Sequence, residues 1–202
     1  MDADPAASIG VALRAVAPRG VRVGARSISS DDEQLLLPAE LVAIGSVAPK
    51  RRREFATGRV LLRDVVGCDD AIPAGPDRRP VLPAGVVASL AHDDLIAVAA
   101  ATATDVAAAI GIDIEPMGEL EPEVAKAILR PDDATDEPVL AFVLKEAAYK
   151  AWSNAGGRML HHHEVRVDIA GSAFTAFVEP EGTALNGRFA SAAGRWLSLV
   201  VV

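Results

Sequence analysis

Two carboxylates, Asp113 and Glu115, stand two residues apart in Ile110-Gly111-Ile112-Asp113-Ile114-Glu115-Pro116. Side chains alternate along an extended chain, so the acids share one face and Ile112 and Ile114 take the other. Carboxylates held side by side repel each other. A divalent cation with oxygen ligands and several retained waters, of the Mg²⁺ kind, removes that repulsion. The same spacing also suits a strand end whose acids face water.

Three further groups carry polar chemistry. In Phe142-Val143-Leu144-Lys145-Glu146-Ala147-Ala148-Tyr149-Lys150-Ala151-Trp152, helical geometry puts Glu146 and Lys150 one turn apart on a shared face. Taken alone, that pair reads as an ion pair on an amphipathic helix. In Arg51-Arg52-Arg53-Glu54-Phe55-Ala56-Thr57-Gly58-Arg59, a helix lines up Arg51, Phe55, Arg59 and the later Arg63 on one edge. Guanidinium forks match phosphate geometry, and a solvated basic face has the same pattern. Finally, Arg78 and Arg79 enter a Pro/Gly-framed loop that leads to Ser89 and His92, a grouping suited to a phosphate pocket.

The elements that must position these groups follow from pattern and punctuation. Residues 1–30 read as irregular or stranded, with alternation through Val21, Val23 and Ala25. Asp31 to Val47 reads as helix broken at Pro38, and Lys50 to Val66 as a helix opened by Pro49 and stopped by Gly67. Ile72 to Gly85 is a Pro/Gly-rich loop. Val86–Leu90 is a strand running to His92. Leu95–Ala101 and Val106–Ile114 read as two strands of a hairpin turned at Thr102-Ala103-Thr104-Asp105. Pro122–Leu129 suits a short helix, and Val139–Ala155 a longer one closed by Gly156-Gly157. Strands follow at Val165–Ile169, Phe174–Val178 and Trp196–Val202. Helix-rich then strand-rich sequence occurs twice, which predicts an α+β fold of two similar halves, 1–104 and 105–202, around a shared core.

Composition bounds the function. Half of the 202 residues are hydrophobic, enough for a packed core, and the net charge of −8 argues against a nucleic-acid binder. Between Lys50 and Arg63, however, six basic side chains face the single acid Glu54, as an anion-holding patch would. One cysteine, Cys68, allows no internal disulfide; it reads as a helix-end residue, not a nucleophile, and fits a reducing compartment. The first residues include Asp2 and Asp4 and no basic stretch of a secretory signal. The apolar run Leu95–Ile114 is interrupted by Thr102, Thr104, Asp105 and Asp113, so a cytoplasmic chain without a membrane span is expected. His161-His162-His163 cannot all face one ion and read as surface or strand-entry residues.

The ordered set resembles the phosphopantetheinyl transferases of the surfactin and enterobactin synthetase type, across roughly residues 50–165. Those enzymes show a basic-Glu-Phe-x-x-Gly-Arg helix, a Pro loop, Ser-x-x-His, Gly-Ile-Asp-x-Glu and Lys-Glu-x-x-x-Lys in this order. The resemblance implies a pseudo-dimer of two α/β halves with the site between them. It implies transfer of 4'-phosphopantetheine from coenzyme A to a serine of an apo acyl or peptidyl carrier protein, with 3',5'-ADP released. Asp113, Glu115 and Glu146 would hold Mg²⁺, or Mn²⁺. Arg51, Arg59, Arg78, Ser89, His92, Lys145 and Lys150 would contact coenzyme A, and Glu146 and Lys150 would serve catalysis. A monomer is expected, since both walls of the cleft come from one chain. The alternative is a non-catalytic module of the same fold that binds coenzyme A or the carrier. This chain departs from the family pattern at Leu82, where an aromatic is usual, and in the short stretch from Pro116 to Glu146.

Overall fold

The computed structural model describes residues 4–202. Asp4 caps helix α1 (Pro5–Val16), its Oδ1 accepting from the Ala6 amide at 3.1 Å, with Pro5 at the first helical position. This corrects the reading of the first half of residues 1–30 as irregular or stranded, while the alternation around Val23 and Ala25 does fall in a strand. Ile9, Leu13 and Val16 recur at helical spacing and are buried, a pattern thinned by the alanines and glycine around them. Strand β1 (Arg22–Ser27), a 3-10 turn at Asp31–Leu35 and helix α2 (Pro38–Ile44) lead to α3 (Pro49–Val66). Helix α3 ends at Gly67, whose φ of 73° is the left-handed cap conformation that glycine adopts without strain. After the Pro/Gly loop come β2 (Val86–His92) and β3 (Ile96–Ala103), then β4 (Ile110–Pro116), α4 (Pro122–Ile128) and α5 (Pro138–Asn154). Strands β5 (Val165–Ala170), β6 (Ala173–Val178), β7 (Thr183–Ala192) and β8 (Arg195–Val201) close the chain.

The strands form two antiparallel sheets, β1-β3-β2 and β4-β8-β7-β6-β5. The expected hairpin between β3 and β4 is therefore absent. β3 already has β1 on one edge and β2 on the other, so no ladder position is left for β4, which pairs with β8 instead. The sheets meet where β2 runs beside β4, and there the Ile112 amide donates to Ser89 Oγ at 3.2 Å. Once α2, α4 and the β5–β6 pair are set aside, the order strand, helix, strand, strand recurs with the same pairings: β1, α3, β2, β3 in one sheet and β4, α5, β7, β8 in the other. Strand β7 escaped the sequence pattern because Asn186-Gly187 reads as a turn and only Leu185 is buried. Gly187 instead makes room for the Phe174 ring, which a Cβ there would meet at 2.3 Å.

One apolar cluster joins the sheets. Ile9 and Leu13 of α1 pack with Ile96 and Val98 of β3, Ile110, Ile112 and Ile114 of β4, and Leu197 and Leu199 of β8. The opposite face of β3, Ala97, Ala99 and Ala101, lies under α3. A core that spans residues 9 to 199 ties the two sheets together, and Arg195 of β8 reaches across the same seam to Asp93 after β2.

Helix α5 lies against β4 at Gly111. A Cβ at that position would stand 2.0 Å from the Ala147 carbonyl oxygen and 2.6 Å from the Ala151 nitrogen, both rigid backbone. Asn154 Nδ2 reaches the Ile110 carbonyl at 2.9 Å and Lys150 Nζ the Ile112 carbonyl at 3.2 Å along the same contact. Gly111→Ala must push α5 outward and should destabilise the fold by about 1–3 kcal/mol or more. Urea denaturation reads the change, with Gly118→Ala as a space control because nothing lies within 4 Å of a Cβ there and its backbone is not in the left-handed region. A wild-type midpoint for Gly111→Ala would show that the close approach is not needed.

Candidate functional site

The seam between β2 and β4 opens into a cleft of about 910 Å³ whose lining includes Arg51, Arg59, Arg78, Ser89, His92 and Lys150. Six of the residues singled out in the sequence thus come together from α3, the Pro loop, β2 and α5. Arg59 is the least expected of them in its environment. Only 4% exposed, it stacks on Phe55 with Cζ 4.3 Å from the ring centroid, and its Nε is buried with no hydrogen-bond partner. Burial lowers its pKa to about 10, with Glu40 opposing and Arg51 adding to the depression. A buried guanidinium whose Nε has no protein partner is chemically suited to hold an anion. Arg51 is more exposed and sits 3.2 Å from His92 Nε2 and 3.5 Å from Glu54. Arg63, on the same helical edge in the sequence, is spent on buried Glu40 and the Leu35 carbonyl. Arg79 crosses the cleft mouth to the Ser153 carbonyl at 3.2 Å.

Lys150 connects this cleft to the acids of β4. Its Nζ lies 2.6 Å from Asp113 Oδ1, while Asp113 Oδ2 is buried with no partner. Burial raises the Asp113 pKa to about 6; Lys150 opposes that rise and Glu146 adds to it. Glu115 is pushed to about 7 by burial first, then by Asp113, with Glu146 a further contributor. Among the described residues no three His, Cys, Asp or Glu side chains already form a ligand cluster. The arrangement nevertheless fits a divalent cation: the donors are all oxygens, one of them is an orphaned buried atom, and the like charges destabilise one another. Glu146 Oε1 lies 2.9 Å from His162 Nε2.

Two sequence readings need revision. Lys145, grouped with the coenzyme A contacts, does not line the cleft. It is 1% exposed, and its Nζ donates to Asp133 Oδ2 at 2.6 Å, the Ile128 carbonyl at 2.8 Å and the His162 carbonyl at 3.2 Å. One residue of helical rotation separates it from the Glu146 face, enough to turn it into the protein. Asp133 was not singled out at all, yet it anchors this buried pair and the Val167 amide. The histidine run does sit at the entry to β5, as expected, but His162 turns inward to Glu146; their 16-residue separation carries no local spacing signal.

The chain is similar to proteins of one family. A family model described as the 4'-phosphopantetheinyl transferase N-terminal domain matches residues 38–102, the stretch containing α3, the Pro loop and β2. The chain is 35% identical over 188 residues to the 4'-phosphopantetheinyl transferase Svp of Streptomyces mobaraensis, covering 82% of this chain and 75% of that protein. It is 31% identical over 168 residues to the 4'-phosphopantetheinyl transferase Npt of Nocardia iowensis, covering 77% and 75% respectively. The chain belongs to the 4'-phosphopantetheinyl transferase family, with the α+β fold expected of it. No helix among the described residues is long and apolar enough to cross a membrane.

The raised carboxyl pKa values have a consequence for stability. Between the ordinary and the raised value, the folded state keeps a proton that the unfolded chain has lost, so rising pH favours unfolding. The window runs from 3.8 to about 6 for Asp113 and from 4.5 to about 7 for Glu115. In chelator, Asp113→Asn should remove the Asp113 share of this slope, on the order of 3 kcal/mol across the window. Denaturation midpoints from pH 4 to 7.5 measure it. Parallel curves for the two proteins would mean that Asp113 is not crowded.

Proposed function

We propose that the chain transfers 4'-phosphopantetheine from coenzyme A to a serine hydroxyl of an apo acyl or peptidyl carrier protein and releases 3',5'-ADP. The observation that carries this reading is the cleft itself, with the buried Arg59 guanidinium and its partnerless Nε on one wall and Lys150, bound to Asp113, on the other. Coenzyme A has a 3'-phosphate and a pyrophosphate to meet those cations. Arg51, Arg59, Arg78 and His92 hold the nucleotide end, and Lys150 holds the pyrophosphate. Ser89 supports the β2–β4 seam through the Ile112 amide and presents its hydroxyl at the cleft wall. Mg²⁺, or Mn²⁺, held by Asp113, Glu115 and Glu146, neutralises pyrophosphate charge when bound.

The carrier serine Oγ attacks the β-phosphorus as the bond from that phosphorus to the bridging oxygen breaks, and 3',5'-ADP leaves with the bridging oxygen. Glu146, or a water it orients, accepts the serine proton. Such a step needs positioning and charge neutralisation more than covalent help, and Lys150 and the arginines supply both. The matching orders β1, α3, β2, β3 and β4, α5, β7, β8 support a pseudo-dimer whose halves, 1–104 and 105–202, each supply one wall. A monomer acting in the cytoplasm suffices on this reading.

Incubation with coenzyme A, Mg²⁺ and an apo carrier should add the mass of the phosphopantetheine arm to the carrier. Binding of coenzyme A with no mass gain would instead make the protein a non-catalytic module. Arg59→Ala should raise KM for coenzyme A about ten- to a hundredfold with kcat nearly unchanged, because a nucleotide contact is equal in ground and transition states. Lys145→Met should leave that KM alone and lower the melting temperature, since it strands buried Asp133. A KM effect in Lys145→Met larger than in Arg59→Ala would reverse the assignment.

A further inference from the structure

We propose that His162 is the positioning residue for Glu146, holding one carboxylate oxygen so that the other stays free for the cation. The inference rests on the proposed role of Glu146 as a ligand. An ionised carboxylate only accepts hydrogen bonds, so the 2.9 Å contact with Glu146 Oε1 requires His162 Nε2 to carry the proton. Among the described residues Glu146 has no other hydrogen-bond partner, which leaves Oε2 uncommitted. Glu146 lies one helical turn before Lys150 on α5, and Lys150 Nζ reaches Asp113 Oδ1 at 2.6 Å, so Glu146 belongs to the part of α5 that packs on β4.

His162 is itself held at several points. Buried Lys145 donates to its backbone carbonyl at 3.2 Å, and the Phe142 ring packs against the imidazole with centroids 5.3 Å apart. The short 3-10 turn His162–Glu164 is fastened in turn: Glu164 accepts from the His161 amide at 2.8 Å and from Arg158 at 2.7 Å. Neighbouring residues of α5 thus grip His162 from two sides, Lys145 at the main chain and Glu146 at the ring. A mobile carboxylate would lose rotamer freedom on taking up a cation; one already held has less to lose. Groups that hydrogen-bond a metal ligand typically contribute 10–100-fold in metal affinity.

The test uses the whole protein without coenzyme A and reads Mn²⁺ binding by the electron paramagnetic resonance of the free ion, alongside steady-state kinetics. His162→Phe keeps a ring against Phe142 and removes the N–H; His162→Gln replaces the N–H at nearly the same reach. His162→Phe should weaken Mn²⁺ binding about 10–100-fold and lower kcat at limiting metal, with KM for coenzyme A unchanged because His162 does not line the cleft. His162→Gln should recover most of both losses. Wild-type Mn²⁺ affinity in His162→Phe, or a His162→Gln no better than it, overturns the inference. Glu146→Ala separates the two claims. If it binds Mn²⁺ as well as wild type, the ligand role of Glu146 fails; if it binds weakly while His162→Phe binds normally, only the His162 role fails.

Discussion

Asp113 and Glu115 are forced onto one face of β4 while Ile112 and Ile114 anchor its other face in the core, and this crowding is the constraint around which the site is arranged. Neither acid can turn away without pulling an isoleucine out of the seam. Burial makes their charges costly, and Lys150 offsets that of Asp113 directly. The partnerless Oδ2 of Asp113 and the two carboxyl pKa values raised mainly by burial are the signs of that crowding.

The neighbouring elements serve that constraint. Gly111 lets α5 approach β4 closely enough for Lys150 to reach both the Ile112 carbonyl and Asp113. The alanine face of β3 brings α3 down onto the first sheet, so Arg59 enters the cleft from buried ground, stacked on Phe55. The shared cluster under α1 then locks the two sheets, since a cleft whose walls slid apart could not hold an extended, multiply charged ligand.

Much of this was legible in the sequence, and the exceptions have physical causes. The i, i+2 acids and the four-residue spacings of α3 and α5 follow from backbone geometry alone, so those elements were placed correctly, and several of the residues singled out on α3 and α5 line one cleft. Contacts set by sheet pairing did not. Nothing in Leu95–Ile114 tells that β3 is central in its sheet and closed to β4. Lys145 and Lys150 are the same residue type on one helix, and only the packing of the α4–α5 connection makes one a buried strut and the other a wall of the cleft. His162 meets Glu146 through the chain's return into β5, a long-range consequence that no local window carries.

The central claim is that the β4 acids and the basic cleft form one site. Crystals grown with coenzyme A and Mn²⁺, with data collected near the manganese edge, test it most directly. An anomalous peak should appear against Asp113 Oδ2 and a Glu115 oxygen, beside a pyrophosphate reached by Lys150, with the 3'-phosphate on the Arg59 side of the cleft. Coenzyme A bound in the cleft with no peak at β4 and the Asp113–Lys150 contact intact would contradict the account.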